Sequence, residues 1–270
     1  MLAGSALPAT ESRILLAHAL RAERAWIVAH GPDRVADAQA QEVEALFARR
    51  RAGEPIAYIT GEREFYGLCL HVTPSVLIPR PETELVVDQA LTLMAGRRTP
   101  KVLDLGTGSG AIAVAIAHAR RDAAVCASDA SAEAIAVASR NTSRHAVAVR
   151  FVQGDWFAAL AEERFDVIVS NPPYVADGDP HLEEGDLRFE PGAALLGGPD
   201  GMACIRTIAA AARRHLAPGG WLVFEHGWDQ GPACVRLLVG LGYTDVADAR
   251  DLSGLPRVCK GRIDAPSPAG

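Results

Sequence analysis

Asn171-Pro172-Pro173-Tyr174 directly follows the apolar run Phe165–Ser170, which reads as a buried strand, so the tetrapeptide emerges at that strand's C-terminal end. In an open α/β sheet that edge is where ligands bind. Two consecutive prolines fix φ twice and remove two backbone donors, leaving carbonyls on a stiff loop between an amide side chain and an aromatic ring. A loop of this kind can hold an NH₂ group by accepting its hydrogens. A strand end closed by Pro-Pro would use the same residues for no chemistry, so the surrounding elements decide between the two readings.

Those elements alternate. Val102–Leu105 is a short strand, Gly106-Thr107-Gly108-Ser109-Gly110 a tight turn, and Ala111–Arg120 an apolar helix. Glycines let a ligand approach the backbone, and the helix start presents unpaired N–H groups, the makings of a nucleotide site. The spacing is G-x-G-x-G with Ala at position 111, where a dinucleotide motif allows either Gly or Ala, so this turn alone leaves a dinucleotide open. Asp129 lies 19 residues beyond Gly110 at the end of the strand Val125–Asp129, where a carboxylate accepts from ribose hydroxyls. A helix over Ala132–Thr142, a strand over Val147–Val152 ending near Asp155-Trp156, and the strand Phe165–Ser170 continue the pattern. After an excursion over residues 176–200 come a helix near Met202–Leu216, the strand Trp221–Glu225, a helix near Pro232–Leu241, and segments at Thr244–Ala249 and Arg257–Arg262. Strands alternating with helices specify an α/β, mostly parallel sheet covered on both faces.

Ahead of this domain, helical spacing covers Ile14–Leu20 and Ala36–Arg51, with Trp26-Ile27-Val28 between the two helices. The module is too short to bury a generous core alone. Arg49-Arg50-Arg51 reads as a solvated helix end in favour of the dipole rather than an RNA-binding patch. Glu64–Val72 reads as a short β-hairpin or an extended linker around Gly67, and Pro79-Arg80-Pro81 must be extended before Glu82-Thr83-Glu84 opens a helix. The expected division is therefore a helical domain at 1–63, a hairpin and linker at 64–84, a sheet domain at 85–262 and a disordered tail at 263–270, with residues 1–9 frayed.

The bulk numbers exclude several classes. No apolar run approaches the length that spans a bilayer, and no signal-peptide layout opens the chain. Five scattered cysteines without a C-x-x-C pair argue against a disulfide framework and a zinc site, and place the chain in a reducing cytoplasm without a metal. Residues 1–80 balance nine basic against nine acidic side chains, so the whole net charge of −6 falls on residues 81–270. Without a net basic domain the chain is poorly equipped to grip duplex DNA through its phosphates.

Four consecutive strand ends thus carry a glycine turn, a ribose acid, an Asp with an aromatic, and Asn-Pro-Pro-Tyr. That layout resembles class I S-adenosylmethionine-dependent methyltransferases. The resemblance implies that Gly106, Thr107, Gly108, Ser109 and Gly110 face the amino-acid end of the cofactor, Asp129 its ribose, Asp155 and Trp156 its adenine, and that Asn171 adjoins it. Hydride chemistry on a similar fold gives Asn-Pro-Pro-Tyr no role. Further matches run from Thr10 to Arg262: Arg51–Pro55, Tyr58, Gly61, Glu64–Gly67, Leu77–Glu84, Ser170–Tyr174, Phe189-Glu190-Pro191, Glu225-His226-Gly227 and Arg250-Asp251-Leu252. In combination they are similar to the peptide chain release factor glutamine N5-methyltransferases, a Rossmann-like fold with a seven-stranded sheet.

What that family implies is methylation of the side-chain amide of the glutamine in the Gly-Gly-Gln tip of release factors, with S-adenosylhomocysteine as product. An amide nitrogen is a poor nucleophile, so orientation must supply much of the acceleration. Asn171 and the Pro172 carbonyl would each accept one N–H, Pro173 would stiffen the loop, and Tyr174 would pack against the glutamine or the sulfonium. Arg80 and Glu82 would border the substrate from the linker, and Glu225 would support the site from the fifth strand or serve as a buried structural acid. The helical domain would dock the release factor. A ribosomal-protein glutamine methyltransferase shares the central motifs. A DNA adenine N6-methyltransferase could use the same tetrapeptide but needs a basic groove, and a non-catalytic cofactor-binding module would have no use for all of these motifs together.

Overall fold

The computed structural model describes residues 5–31 and 33–264, so of the ends expected to be frayed (1–9) and disordered (263–270), residues 1–4 and 265–270 lie outside the described residues, whereas Ser5 is buried against Ser12 and Ala9 already begins a helix. The chain divides into two compact units: one ends at Glu62 and takes back Pro180–Phe189, the other runs Arg63–Asp179 and resumes at Glu190.

In the first unit, α1 (Ala9–Leu20), α2 (Arg24–Ala29), α3 (Asp37–Arg51) and α4 (Ile56–Thr60) enclose a small core of Leu15, Ile27, Val43, Phe47 and Ile59. Trp26-Ile27-Val28, expected as a connection, lies within α2, and α4 was not foreseen; helices of six and five residues are too short for a period of 3.6 to register. The arginine run is more than a solvated end. Arg49 pairs with Glu54 at 2.5 Å, Arg51 with Glu44, and half-buried Arg50 bridges Glu11 and Asp186, both at 2.9 Å. These bonds hold Arg50 well above the usual guanidinium range and tie the excursion at 180–189 to α1 and α3.

The second unit begins with the hairpin β1 (Glu62–Phe65) and β2 (Leu68–His71), whose two turn residues, Tyr66 and Gly67, both have positive φ (52° and 73°) as a type I′ turn demands. A single 3₁₀ turn, Pro81–Thr83, leads into α5 (Glu84–Leu93). Then follow β3 (Lys101–Leu105), α6 (Ala111–Ala119), β4 (Ala124–Asp129), α7 (Ala132–Arg144), β5 (Val149–Gln153), β6 (Phe165–Ser170), α8 (Ala203–His215), β7 (Leu216–Glu225), α9 (Gly231–Gly240), β8 (Thr244–Arg250) and β9 (Pro256–Arg262). The sheet order is β5-β4-β3-β6-β7-β9-β8, and β9 runs antiparallel to both of its neighbours. Side-chain alternation sends Val102, Val167 and Val223 to the face covered by α5 and α6, and Leu103, Ile168 and Leu222 to the face covered by α8 and α9. Among the described residues no helix is long and apolar enough to cross a membrane.

Candidate active site

From β3 the chain steps outward through β4 to β5, then returns to lay β6 against the other side of β3, so the connections diverge between β3 and β6. A crevice opens at such a point beyond the C-terminal strand ends. Register fixes what meets there: Leu105 pairs with Ser128 on one side and Ser170 on the other, and Ser170 pairs with Phe224. Gly106, Asp129, Asn171 and Glu225 each follow one of these residues, so all four emerge at one edge. Ser170 donates to the Leu105 carbonyl at 2.8 Å and locks the two central strands at that level.

The glycine turn is held from below and from the side. Gly106 and Thr107 donate their backbone N–H groups to the Ser128 carbonyl at 2.9 and 3.0 Å. Asp129 is oriented by two backbone donors, Gly108 N at 2.8 Å on one oxygen and Ser131 N at 2.9 Å on the other, with lone pairs left on each. Thr107 donates its hydroxyl to the buried Asp104 at 2.6 Å, and Ala113 N reaches the same oxygen at 3.2 Å. Burial pushes the Asp104 carboxyl up to about 7. Fully buried Asn141 of α7 donates to the Ser109 and His71 carbonyls and accepts from His71 N, lashing β2 to the turn.

Around Asn-Pro-Pro-Tyr the polar contacts form a chain. Asn171 Nδ2 donates to Thr83 Oγ1 at 3.1 Å, Thr83 Oγ1 lies 2.6 Å from Glu225 Oε2, and the Tyr174 hydroxyl donates to Glu225 Oε1 at 3.0 Å. Glu225 is 1% exposed, and burial raises its pKa against the opposing pull of Thr83, Tyr174 and the Arg257 charge. Among the described residues none donates to Asn171 Oδ1 or to the Pro172 carbonyl. Behind the loop, Val175 exchanges backbone bonds with Leu195 and Gly197 at 2.9 and 2.8 Å, and Gln230 Nε2 donates to the Tyr174 carbonyl at 3.0 Å.

One cavity of about 520 Å³ lies over this edge. Gly106, Thr107, Gly108, Ser109, Asp129, Asp155, Trp156, Asn171 and Pro173 line it, as does Thr83. Gly108 has a φ of +55° and open space where a side chain would stand, and the Trp156 ring packs 3.5 Å from where a Cβ on Gly106 would be. Gly110 is absent from the lining; its φ is +81°, and a Cβ there would sit 2.9 Å from that of Ala138, so it also lets α6 pack on α7. Arg80, Glu82, Pro172 and Tyr174 do not line the cavity either. Arg80 pairs with the buried carboxylate of Glu190 at 2.6 Å, joining the linker to the Glu190-Pro191 turn. The Tyr174 hydroxyl is bonded to Glu225, and its ring is partly buried against the core on the face covered by α8 and α9.

Several lining and supporting residues were not singled out as site residues from sequence: Ser75, Val76 and Leu77 of the linker, Pro191, Ala193 and Ala194 after the excursion, and Cys204. Thr83 and Asn141 had signals. Thr83 closes the Pro-Arg-Pro-Glu-Thr run, and Asn141 interrupts the apolar stripe Ala134, Val137, Ala138 at helical spacing.

With that geometry established, comparison with known proteins is informative. The Methyltransferase small domain family matches residues 83–187, and the PrmC N-terminal domain family matches residues 1–61. Among solved structures, a methyltransferase from Pyrococcus furiosus superposes with a TM-score of 0.56 at 22% identity, covering 80% of this chain and 97% of that one, a likeness of fold. The release factor glutamine methyltransferase of Bordetella pertussis is 50% identical over 97% of this chain and 98% of its own length. That of Burkholderia pseudomallei is 51% identical over 97% and 95%. Identity of this order along nearly the full length, both units included, leaves one conclusion: the chain belongs to the release factor glutamine methyltransferase family.

Proposed function

We propose that this chain transfers a methyl group from S-adenosylmethionine to the side-chain amide nitrogen of the glutamine in the Gly-Gly-Gln motif of peptide chain release factors, in the bacterial cytoplasm. The observation that carries the reading is Asn171, whose Oδ1 receives no donor among the described residues and which lines one cavity with the glycine turn and Asp129 at one strand edge. The cavity residues fit the cofactor: open space over Gly108 admits its amino-acid end, the spare lone pairs of Asp129 suit ribose hydroxyls, and Trp156 offers a flat apolar wall to adenine. When bound, S-adenosylmethionine would supply an electrophilic methyl on its sulfonium and leave as S-adenosylhomocysteine, the amide nitrogen giving up one proton after the methyl arrives.

The work of the protein is orientation. Asn171 Oδ1 and the Pro172 carbonyl each accept one N–H of the substrate amide, which fixes the plane of that NH₂ and turns its lone pair toward the cofactor side of the cavity. Pro172 and Pro173 keep the two acceptors from relaxing, because their φ angles are fixed. The first unit docks the release factor away from its glutamine.

Labelled S-adenosylmethionine incubated with purified release factors, ribosomal proteins and DNA tests the substrate. Label is expected on the release-factor glutamine, and label on ribosomal protein or DNA alone overturns the reading. Asn171→Ala is expected to lower kcat by about a hundredfold or more while calorimetry still records cofactor binding. Full activity in that variant removes Asn171 from the mechanism.

A further inference from the structure

An asparagine amide is symmetric in shape, so something must decide which end faces the cavity. Here that decision is made two residues away. A threonine hydroxyl has one proton and can also accept. The Thr83 hydroxyl stands between Glu225 Oε2 at 2.6 Å and Asn171 Nδ2 at 3.1 Å. When Glu225 is a carboxylate it can only accept, so it takes the Thr83 proton, and Thr83 can then only accept from Asn171. The Asn171 NH₂ is drawn to Thr83 and the carbonyl end is left for the cavity. When Glu225 carries a proton the chain of donors can reverse: Glu225 donates to Thr83, Thr83 donates to Asn171, and the amide turns its NH₂ outward, where it repels the N–H groups it should receive.

We propose that Thr83 and Glu225 are positioning residues for methyl transfer, the charge on Glu225 setting the direction of the Thr83 hydroxyl and thereby the orientation of the Asn171 amide. The inference rests on the acceptor role assigned to Asn171 above. Every charged or titratable group that faces Glu225 belongs to this setting. Tyr174 donates from the loop after β6, Arg257 of β9 favours the carboxylate, and Glu82 of the 3₁₀ turn opposes it, while Arg80 acts on the neighbouring Tyr174. Burial holds Glu225 above the ordinary carboxylate range.

The test is kcat against pH for the full-length protein with labelled S-adenosylmethionine and a purified release factor, cofactor affinity being followed by calorimetry. The wild type is expected to lose kcat on the acid side as Glu225 takes up its proton. Thr83→Val leaves the Asn171 donor facing a methyl group. It is expected to lower kcat by about tenfold to a hundredfold, with KM for the release factor changed by less than about threefold and the acid limb gone. Thr83→Ser, which keeps the hydroxyl, is expected to recover most of the loss. Tyr174→Phe removes a donor from the carboxylate, so the acid limb moves to higher pH, a shift that can be read even if Thr83→Val fails to fold. Wild-type kcat in Thr83→Val, equal loss in Thr83→Ser, or an unmoved limb in Tyr174→Phe each overturns the proposal. Asn171→Ala separates the two levels. If that variant keeps wild-type kcat, the acceptor role itself is wrong, whereas an inactive Asn171→Ala beside an unimpaired Thr83→Val sinks only the relay.

Discussion

Two carboxyl groups are buried under the strand edge, and they are satisfied unequally. Glu225 takes one hydroxyl on each oxygen, whereas Asp104 takes Thr107 and Ala113 on the same oxygen and, among the described residues, has no partner on Oδ1. A buried acid with an oxygen unanswered favours its protonated form, in keeping with a value near 7 for Asp104. The sign for stability follows. Because the folded pKa lies above the unfolded one, Asp104 costs nothing below the unfolded value near 4, and its cost grows as pH rises until it levels off above 7. The full cost is no more than about 4 kcal/mol, three pH units at 1.36 each. Asp104→Asn removes this dependence. Thermal unfolding of both proteins at pH 5 and pH 8 is expected to show the variant gaining on the wild type at the higher pH; a difference that stays constant between the two would mean that Asp104 is already charged throughout.

At the scale of elements, the loop bearing Asn171 is shaped by a second loop that crosses behind it. Gly197 would bring a Cβ to 2.7 Å from the Pro173 carbonyl, and one on Gly201 would collide with the Tyr174 carbonyl and lie 2.7 Å from Gln230 Nε2. Gly201 also has a φ of +70°. Gly201→Ala is therefore expected to cost about 1 kcal/mol for the backbone alone, plus the displacement of Tyr174, and to lower kcat while cofactor affinity holds. Gly96→Ala supplies the control, because its φ is +76° but nothing lies within 4 Å. Its expected loss is the backbone cost only, without effect on kcat, as denaturant unfolding and steady-state rates would show. This pair also marks what could be read in advance. The strand, glycine-turn and helix pattern was legible because a period of 2 or 3.6 and a turn residue are local signals, whereas Gly67 left a hairpin and an extended linker both open until the positive φ of Tyr66 and Gly67 decided for the hairpin. Gly201 was not, since its constraint comes from a carbonyl 27 residues away in sequence. Thr83 and Glu225, 142 residues apart, meet only where the turn ahead of α5 reaches the end of β7.

Among the described residues, those that line the 520 Å³ cavity all belong to the second unit. The first unit has its own cavity of about 980 Å³, bordered by Leu16, Leu20, Ile27 and the ring of Trp26, which stacks on His30 at 4.2 Å and remains 46% exposed. An exposed, pre-stacked aromatic beside an apolar recess is the kind of anchor that dominates protein interfaces. Among the described residues Arg21 and Arg34 on its border have no ion-pair partner, whereas the arginines of α3 are paired. If this unit docks the release factor, its contribution belongs to the encounter with the whole protein and not to the chemistry at the glutamine. Trp26→Ser in the full-length chain is then expected to raise KM for an intact release factor by about fivefold to thirtyfold. The kcat on that substrate should hold, and a short Gly-Gly-Gln peptide should be methylated at the wild-type rate. Equal loss on peptide and protein would place Trp26 in the stability of the chain instead, and unchanged KM on both would remove this face from docking, so steady-state kinetics on the two substrates decides which part of the molecule reads the partner.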